Sequence, residues 1–333
     1  NRLLASMTVE VGHLVLRDNY LQTQAMTRIE SKGAAAIDDQ IRLMRVLEDE
    51  VELDRKVEFL PDDETIADRA AAKQGMTRPE IAVLMSYAKI WLYDKIINSD
   101  IPDDGALAKA LVNYFPKPLH VTYRSRIDKH QLRREIVATY LTNSLVNRVG
   151  ATFVTEFMEK TGRGAADIAR AYAITLRVFR LREFWDAIEA LDNRVPARVQ
   201  TTMLRDINHL IEWVTLWFLR NGQVSLDIGA HVAEFGAGME TLSRDLDQSL
   251  PAHYLADVKK RAKPYIEKGV PRNLALLIAG LVNLYSSGDI VRLANQTKRP
   301  VAEVARLYYA IGTRFRMGRL RAASSLLEGD SHW

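Results

Sequence analysis

The sequence predicts an all-α fold, a multi-helix array, on three observations. Gly and Pro together make up 27 of the 333 residues, about 8% where an average chain carries roughly 12%, so regular elements run long between breaks. Apolar residues recur at three- and four-residue spacing over long windows, the pattern of one buried helix face. The period-two alternation of a half-buried strand is sustained nowhere.

The elements follow in chain order. Residues 31–56, with Gly33 and a mixed-charge stretch to Lys56, read as the loosest part of the chain and as a linker. Leu60-Pro61-Asp62-Asp63-Glu64 is a turn followed by an acidic first helical turn, favoured by the positive end of the helix dipole. Thr77-Arg78-Pro79-Glu80 sets a capping hydroxyl three residues before a carboxylate, with Pro in the first turn, a specific helix start. Its buried stripe continues as Ile81, Leu84, Met85, Ala88, Trp91, Leu92 and Ile96. The next stripe is Leu132, Ile136, Val137, Tyr140, Leu141, Leu145 and Val146. Lys160-Thr161-Gly162-Arg163-Gly164 ends one helix and opens another. Met203, Leu204, Ile207, Leu210, Ile211, Val214 and Phe218 form a third stripe, stopped by Arg220-Asn221-Gly222. Gly236-Ala237-Gly238 reads as a flexible helix junction. Trp185, Trp213 and Trp217 sit among apolar residues at helical spacing and read as core.

An internal duplication is also expected. A shift of 136 lays residues 145–191 on 281–327 without gaps, with 13 identities in 47 positions. Leu145-Val146-Asn147 falls on Leu281-Val282-Asn283, Thr161 on Thr297, Arg163 on Arg299, and Asp167 to Tyr172 on Glu303 to Tyr308. Repeated helical units complete one another's cores by stacking, which predicts an array.

Composition narrows the function. The absence of Cys excludes a disulfide framework, a thiolate metal site and a cysteine nucleophile. The seven His never fall three or four residues apart, so no helix offers a two-His metal edge, and no metal site is expected. The longest uncharged apolar stretch, Leu274 to Val282, is nine residues against the roughly 20 that span a bilayer, so no membrane segment is expected. A net charge of +4 spread over 46 basic and 42 acidic residues lacks the one-sided clustering of nucleic-acid binders. Phosphate-loop, nucleophile-elbow and H-E-x-x-H motifs are all missing. Gly236-Ala237-Gly238 is a dinucleotide-like fragment, but Glu240-Thr241 stands where a third Gly belongs.

Two polar clusters remain as candidates for an interface. His130 to Glu135 places Arg133 and Arg134 at the start of the longest stripe, where guanidinium forks suit an acidic partner or a ligand carboxylate. The plainer reading is an exposed turn with Arg134 paired to a nearby acid. The second cluster is Asn143, Asn147 and Arg148, with Asn147 repeated at Asn283, and buried amides between packed helices explain it about as well as a ligand.

Several long strings resemble the large-type bacterial NAD-specific glutamate dehydrogenases. They include Leu14-Val15-Leu16-Arg17-Asp18-Asn19-Tyr20, Arg78-Pro79-Glu80-Ile81-Ala82-Val83-Leu84 and His130-Gln131-Leu132-Arg133-Arg134-Glu135-Ile136. Further strings are Ala166 to Tyr172, Ile188 to Asn193 and Trp217-Phe218-Leu219-Arg220-Asn221. The resemblance implies a segment of a longer chain that converts L-glutamate and NAD to 2-oxoglutarate, ammonia and NADH as a cytoplasmic homo-oligomer. It implies that the catalytic residues and the NAD loop lie upstream of Asn1, leaving this segment without catalytic, cofactor or metal residues. Residues 1–56 then hold the last helix of the dehydrogenase domain, to about Tyr20, plus linker helices. Residues 57–333 form a C-terminal helical domain. Its partners would be the dehydrogenase domain of its own chain and neighbouring subunits, in assembly or regulation. The alternative is an independent helical module that binds a ligand or protein.

Overall fold

The structure is a computed structural model, and it describes residues 2–222 and 226–315. Among the described residues the regular structure is helical, with no strand. Two compact units form, one from residues 1–173 and 219–229, the other from residues 174–218 and 230–333.

The first unit begins with α1 (Arg2–Glu30), α2 (Ile37–Val51), α3 (Asp63–Ala71), α4 (Arg78–Ile97), α5 (Ala108–Tyr114) and α6 (Arg124–Asp128). It continues with α7 (Arg133–Val149), α8 (Phe153–Thr161) and the first part of α9 (Ala165–Val178). The expected starts are in place. Asp62 Oδ1 accepts the Thr65 amide at 2.9 Å ahead of α3. Glu80 Oε2 accepts the Thr77 amide at 2.7 Å, the return arm of a capping box, and takes Arg69 Nη1 at 2.7 Å as well. Gly162, at φ +65°, ends α8 in the left-handed conformation that favours glycine.

Helix α4 packs on α7, α2 and α1, and every member of its predicted stripe is buried. On α7 Ile136, Val137, Leu141, Leu145 and Val146 are buried and Tyr140 is half-buried, whereas Leu132 is exposed because the helix starts one residue later. Residues 31–56, read from sequence as loose, contain α2, whose Leu43, Met44 and Leu47 are fully buried. Its charged residues line the other face and mask the stripe when read as composition. The turn at Gly33 is closed by Gly75, where a Cβ would lie 2.7 Å from the Gly33 carbonyl carbon.

The second unit contains the end of α9, then α10 (Leu181–Glu189), α11 (Ala197–Asn221) as far as Phe218, α12 (Ile228–Arg244) from Ala230, α13 (Leu246–Ser249) and α14 (Ala252–Glu267). It closes with α15 (Arg272–Gly280), a 3₁₀ stretch Leu281–Ser286, α16 (Ser287–Thr297) and α17 (Val301–Arg314). The α11 stripe from Met203 to Phe218 is buried throughout. Gly236-Ala237-Gly238 is not a junction: it lies inside continuous α12, and a Cβ on Gly238 would fall 2.6 Å from Val291 Cγ1. Gly238 is there because α12 and α16 approach closely. Arg272–Thr297 is long and apolar enough to cross a membrane by length and composition, yet most of its apolar window is buried inside the protein, as in a core helix. Of the second duplicated stretch, residues 316–327 lie outside the described residues, and the duplication rests on the sequence alone.

Candidate functional site

The first polar cluster is built at the N-terminal end of α7. Arg133 and Arg134 both pair with Asp103, in the turn after α4. Arg134 Nη2 also donates to the Ile97 and Ser99 carbonyls at 2.8 and 3.0 Å. Carbonyls at a helix end have no partner within the helix, so Arg134 caps α4 from outside. On α9, Arg170 reaches Asp100 of the same turn and Asp167 at 3.2 Å. Three guanidiniums therefore converge on one acidic turn, and the expected pairing of Arg134 with a nearby acid is present.

The second cluster lies at the other end of α7. Asn147 and Arg148 are both buried, and Asn143 is half-buried. Their organiser is Arg28 of α1, which sequence reasoning missed. Its Nη1 and Nη2 donate to the Arg148 and Asn147 carbonyls, each at 2.7 Å. A buried guanidinium on the carbonyl end of a helix meets the negative pole of the helix dipole. Burial lowers the Arg28 pKa to about 10, and the neighbouring Arg148 charge acts in the same direction. Tyr172 of α9 completes the layer: its hydroxyl lies 3.0 Å from both the Ser144 carbonyl and Ser144 Oγ. Complete burial raises the Tyr172 pKa, so the group is a neutral phenol. Arg28 Nε and Asn147 Oδ1 are buried without a hydrogen-bond partner.

In the second unit Asn283 is half-buried in the 3₁₀ stretch, and its carbonyl accepts the Tyr309 hydroxyl at 2.7 Å. Trp185 is core, but Trp213 is 46% exposed, a departure from its expected burial. One face of its ring stacks on Tyr285, with centroids 5.6 Å apart. A helical stripe locates the buried face only to within one position, and Trp213 falls just beyond its edge.

Chemically, these arrangements tie helices together. Among the described residues no group of three His, Cys, Asp or Glu could hold a metal ion. The Gly236-Ala237-Gly238 backbone does not fit a dinucleotide, because the space a phosphate would need beside Gly238 is filled by Val291. Arg28, Asp100 and Asp103 escaped sequence reasoning because an isolated charge carries no mark of its partner. The signal that could have pointed to Asp100 and Asp103 is their turn, Asp100-Ile101-Pro102-Asp103-Asp104-Gly105, opposite in charge to Arg133-Arg134.

A family model described as glutamate dehydrogenase, C-terminal, matches residues 73–333. The chain is 40% identical over 313 residues to the NAD-specific glutamate dehydrogenase of Pseudomonas aeruginosa, covering 94% of this chain and 19% of that protein. It is 38% identical over 333 residues to that of Halomonas elongata, covering all of this chain and 21% of the relative. The likeness to the Mycobacterium tuberculosis protein of the same name is 32% over 332 residues, covering 100% of this chain and 20% of the relative. The chain thus spans about a fifth of the length of the curated relatives it matches.

Proposed function

The chain belongs to the family of the glutamate dehydrogenase C-terminal region, and from that premise we propose that it is the non-catalytic helical part of an NAD-dependent glutamate dehydrogenase. The parent reaction takes L-glutamate, NAD and water to 2-oxoglutarate, ammonia and NADH. The hydride-transferring residues and the NAD site belong to the dehydrogenase region upstream. The helical part packs on that region and on neighbouring subunits of a cytoplasmic homo-oligomer, and it assembles or regulates the enzyme.

The observation that supports this reading is what the α7 arginines do. The guanidiniums best suited to grip a ligand carboxylate grip Asp103 and the end of α4. The buried one on α1 grips the end of α7. Such bonds serve a stiff helical body, which is what an assembly element requires.

The test is a full-length enzyme cut after Thr27. Loss of oligomeric mass or of effector response supports the reading, whereas a truncated enzyme that keeps mass, turnover and effector response overturns it. The alternative, an independent binding module, draws on the unpartnered Asn147 Oδ1. Replacing Asn147 and Asn283 with Ala and losing only folding stability would remove it.

A further inference from the structure

Helix α17 buries one side and leaves an apolar row bare. Ala305 and Tyr309 are buried, and the helix packs on α13 and α16. A second row, Val304, Leu307, Ile311 and Phe315, runs at three- and four-residue spacing, the pattern of a helix face that packs against something. Val304 at its head is buried, whereas Leu307, Ile311 and Phe315 are 51, 55 and 65% exposed.

In the first of the two duplicated stretches the same row is covered. Under the shift of 136 read from the sequence, α17 (Val301–Arg314) falls end to end on α9 (Ala165–Val178), and Thr297, the last residue of α16, falls on Thr161, the last of α8. The residues after those ends, Gly162 and Lys298, are both left-handed, at φ +65° and +53°. The counterparts of the α17 row are Ile168, Ala171, Thr175 and Phe179, and all four are buried. Helix α9 passes into α10 through two residues, Phe179 and the left-handed Arg180. So short a link makes successive helices neighbours, and α10 buries Leu181, Trp185 and Ile188.

We propose that residues 317–327, the counterpart of α10, lie along α17 and cover Leu307, Ile311 and Phe315. The sequence offers a complementary row. Under the same shift Met317, Leu320, Ser324 and Leu327 fall on Leu181, Phe184, Ile188 and Leu191, and Phe315-Arg316 repeats the link Phe179-Arg180. Ser324 is the one polar member of that row. The lengths agree as well: at about 1.5 Å per residue, Leu307 to Phe315 is about 12 Å of helix and Met317 to Leu327 about 15 Å. A second copy of the chain is the rival occupant. A segment tethered by so short a link meets the row at an effective concentration of millimolar order, which a separate molecule at micromolar concentration does not reach. The row is then part of the core of the second unit, and assembly contacts lie elsewhere.

The chain contains no Cys, so a single Ile311→Cys reports on the row alone. Its rate of reaction with a thiol reagent is compared in the 333-residue chain and in the same chain carrying Leu320→Glu and Leu327→Glu. The expected result is reaction about tenfold slower with Leu320 and Leu327 in place, independent of protein concentration. Equal rates overturn the proposal. Protection that disappears on dilution assigns the row to a second copy and overturns it too. Circular dichroism checks that each variant is folded, and Leu307→Cys, one turn earlier, repeats the measurement should Ile311→Cys fail to fold. The result is independent of glutamate oxidation by the full-length enzyme, so it leaves the functional reading standing either way.

Discussion

Replacing Gly288 with Ala tests the packing of the second unit at a point where the geometry permits a sign prediction. A Cβ at position 288 would lie 2.3 to 2.7 Å from three atoms of the Trp217 indole, Cδ2, Cε2 and Cε3. Ordinary contact begins near 3.4 Å, so the ring must retreat by about 1 Å or the helices must part. The ring is held: Nε1 donates to Asp289 Oδ1 at 3.0 Å, and the Arg292 guanidinium lies 5.1 Å from its centroid. Overpacking costs about 1–3 kcal/mol, and losing the bond to Asp289 costs about 1.5–3 kcal/mol. Each is an alternative way of relieving the same overlap, so they are not summed. Against them stands a gain of about 1 kcal/mol from replacing Gly inside α16. The net expectation for Gly288→Ala is a loss of up to roughly 2 kcal/mol, read as a lower urea midpoint by circular dichroism at unchanged slope. In a Trp217→Ala background the obstacle is gone and only the propensity gain remains, so the same substitution should stabilise by about 0.5–1 kcal/mol. Equal destabilisation in both backgrounds would refute the reasoning.

Other substitutions probe the first unit. Arg28→Met keeps the volume but strips two buried carbonyls of charged donors; with guanidinium desolvation relieved, the loss should be about 2–4 kcal/mol. It should show as faster amide exchange at residues 145–150, and a change below about 0.5 kcal/mol would sink the clamp assignment. Gly75→Ala places a Cβ against the Gly33 backbone, which has no rotamer with which to yield, so a fall in melting temperature of several degrees is expected. Glu156 accepts Thr152 Oγ1 at 2.5 Å, and burial raises its pKa, with Asp39 acting in the same direction. A carboxyl with a raised folded pKa contributes stability that is present below its unfolded pKa and lost as pH rises through the folded value. Glu156→Gln should therefore raise the melting temperature at pH 7 more than at pH 4. An equal shift at both values would count against burial as the cause.

Much of the fold was legible because its signals are local. The Thr77 to Glu80 start, the Gly162 stop and the stripes of α4 and α11 each depend on residues within a turn or two of one another. Where sequence reading failed, the cause was spatial. Helix α2 looked like a linker because its charges and its buried Leu43, Met44 and Leu47 share one stretch, and only packing separates the faces. Gly238 looked like a hinge until Val291 of α16 appeared beside it. Arg133 and Arg134 stand out in the sequence as a basic pair, but nothing in their neighbourhood names Asp103, 30 residues from Arg133.

The sequence by itself determined the all-α class, several helix ends and the family to which the chain belongs, since periodicity, capping and long shared strings are properties of neighbouring residues. Tertiary structure alone decided what the polar residues are for. Arg28 meets the end of α7 across 119 and 120 residues of chain, and Asp103 gathers Arg133 and Arg134 from another helix. A charge finds its partner through space, and the distance along the chain carries no information about that distance until the helices have packed.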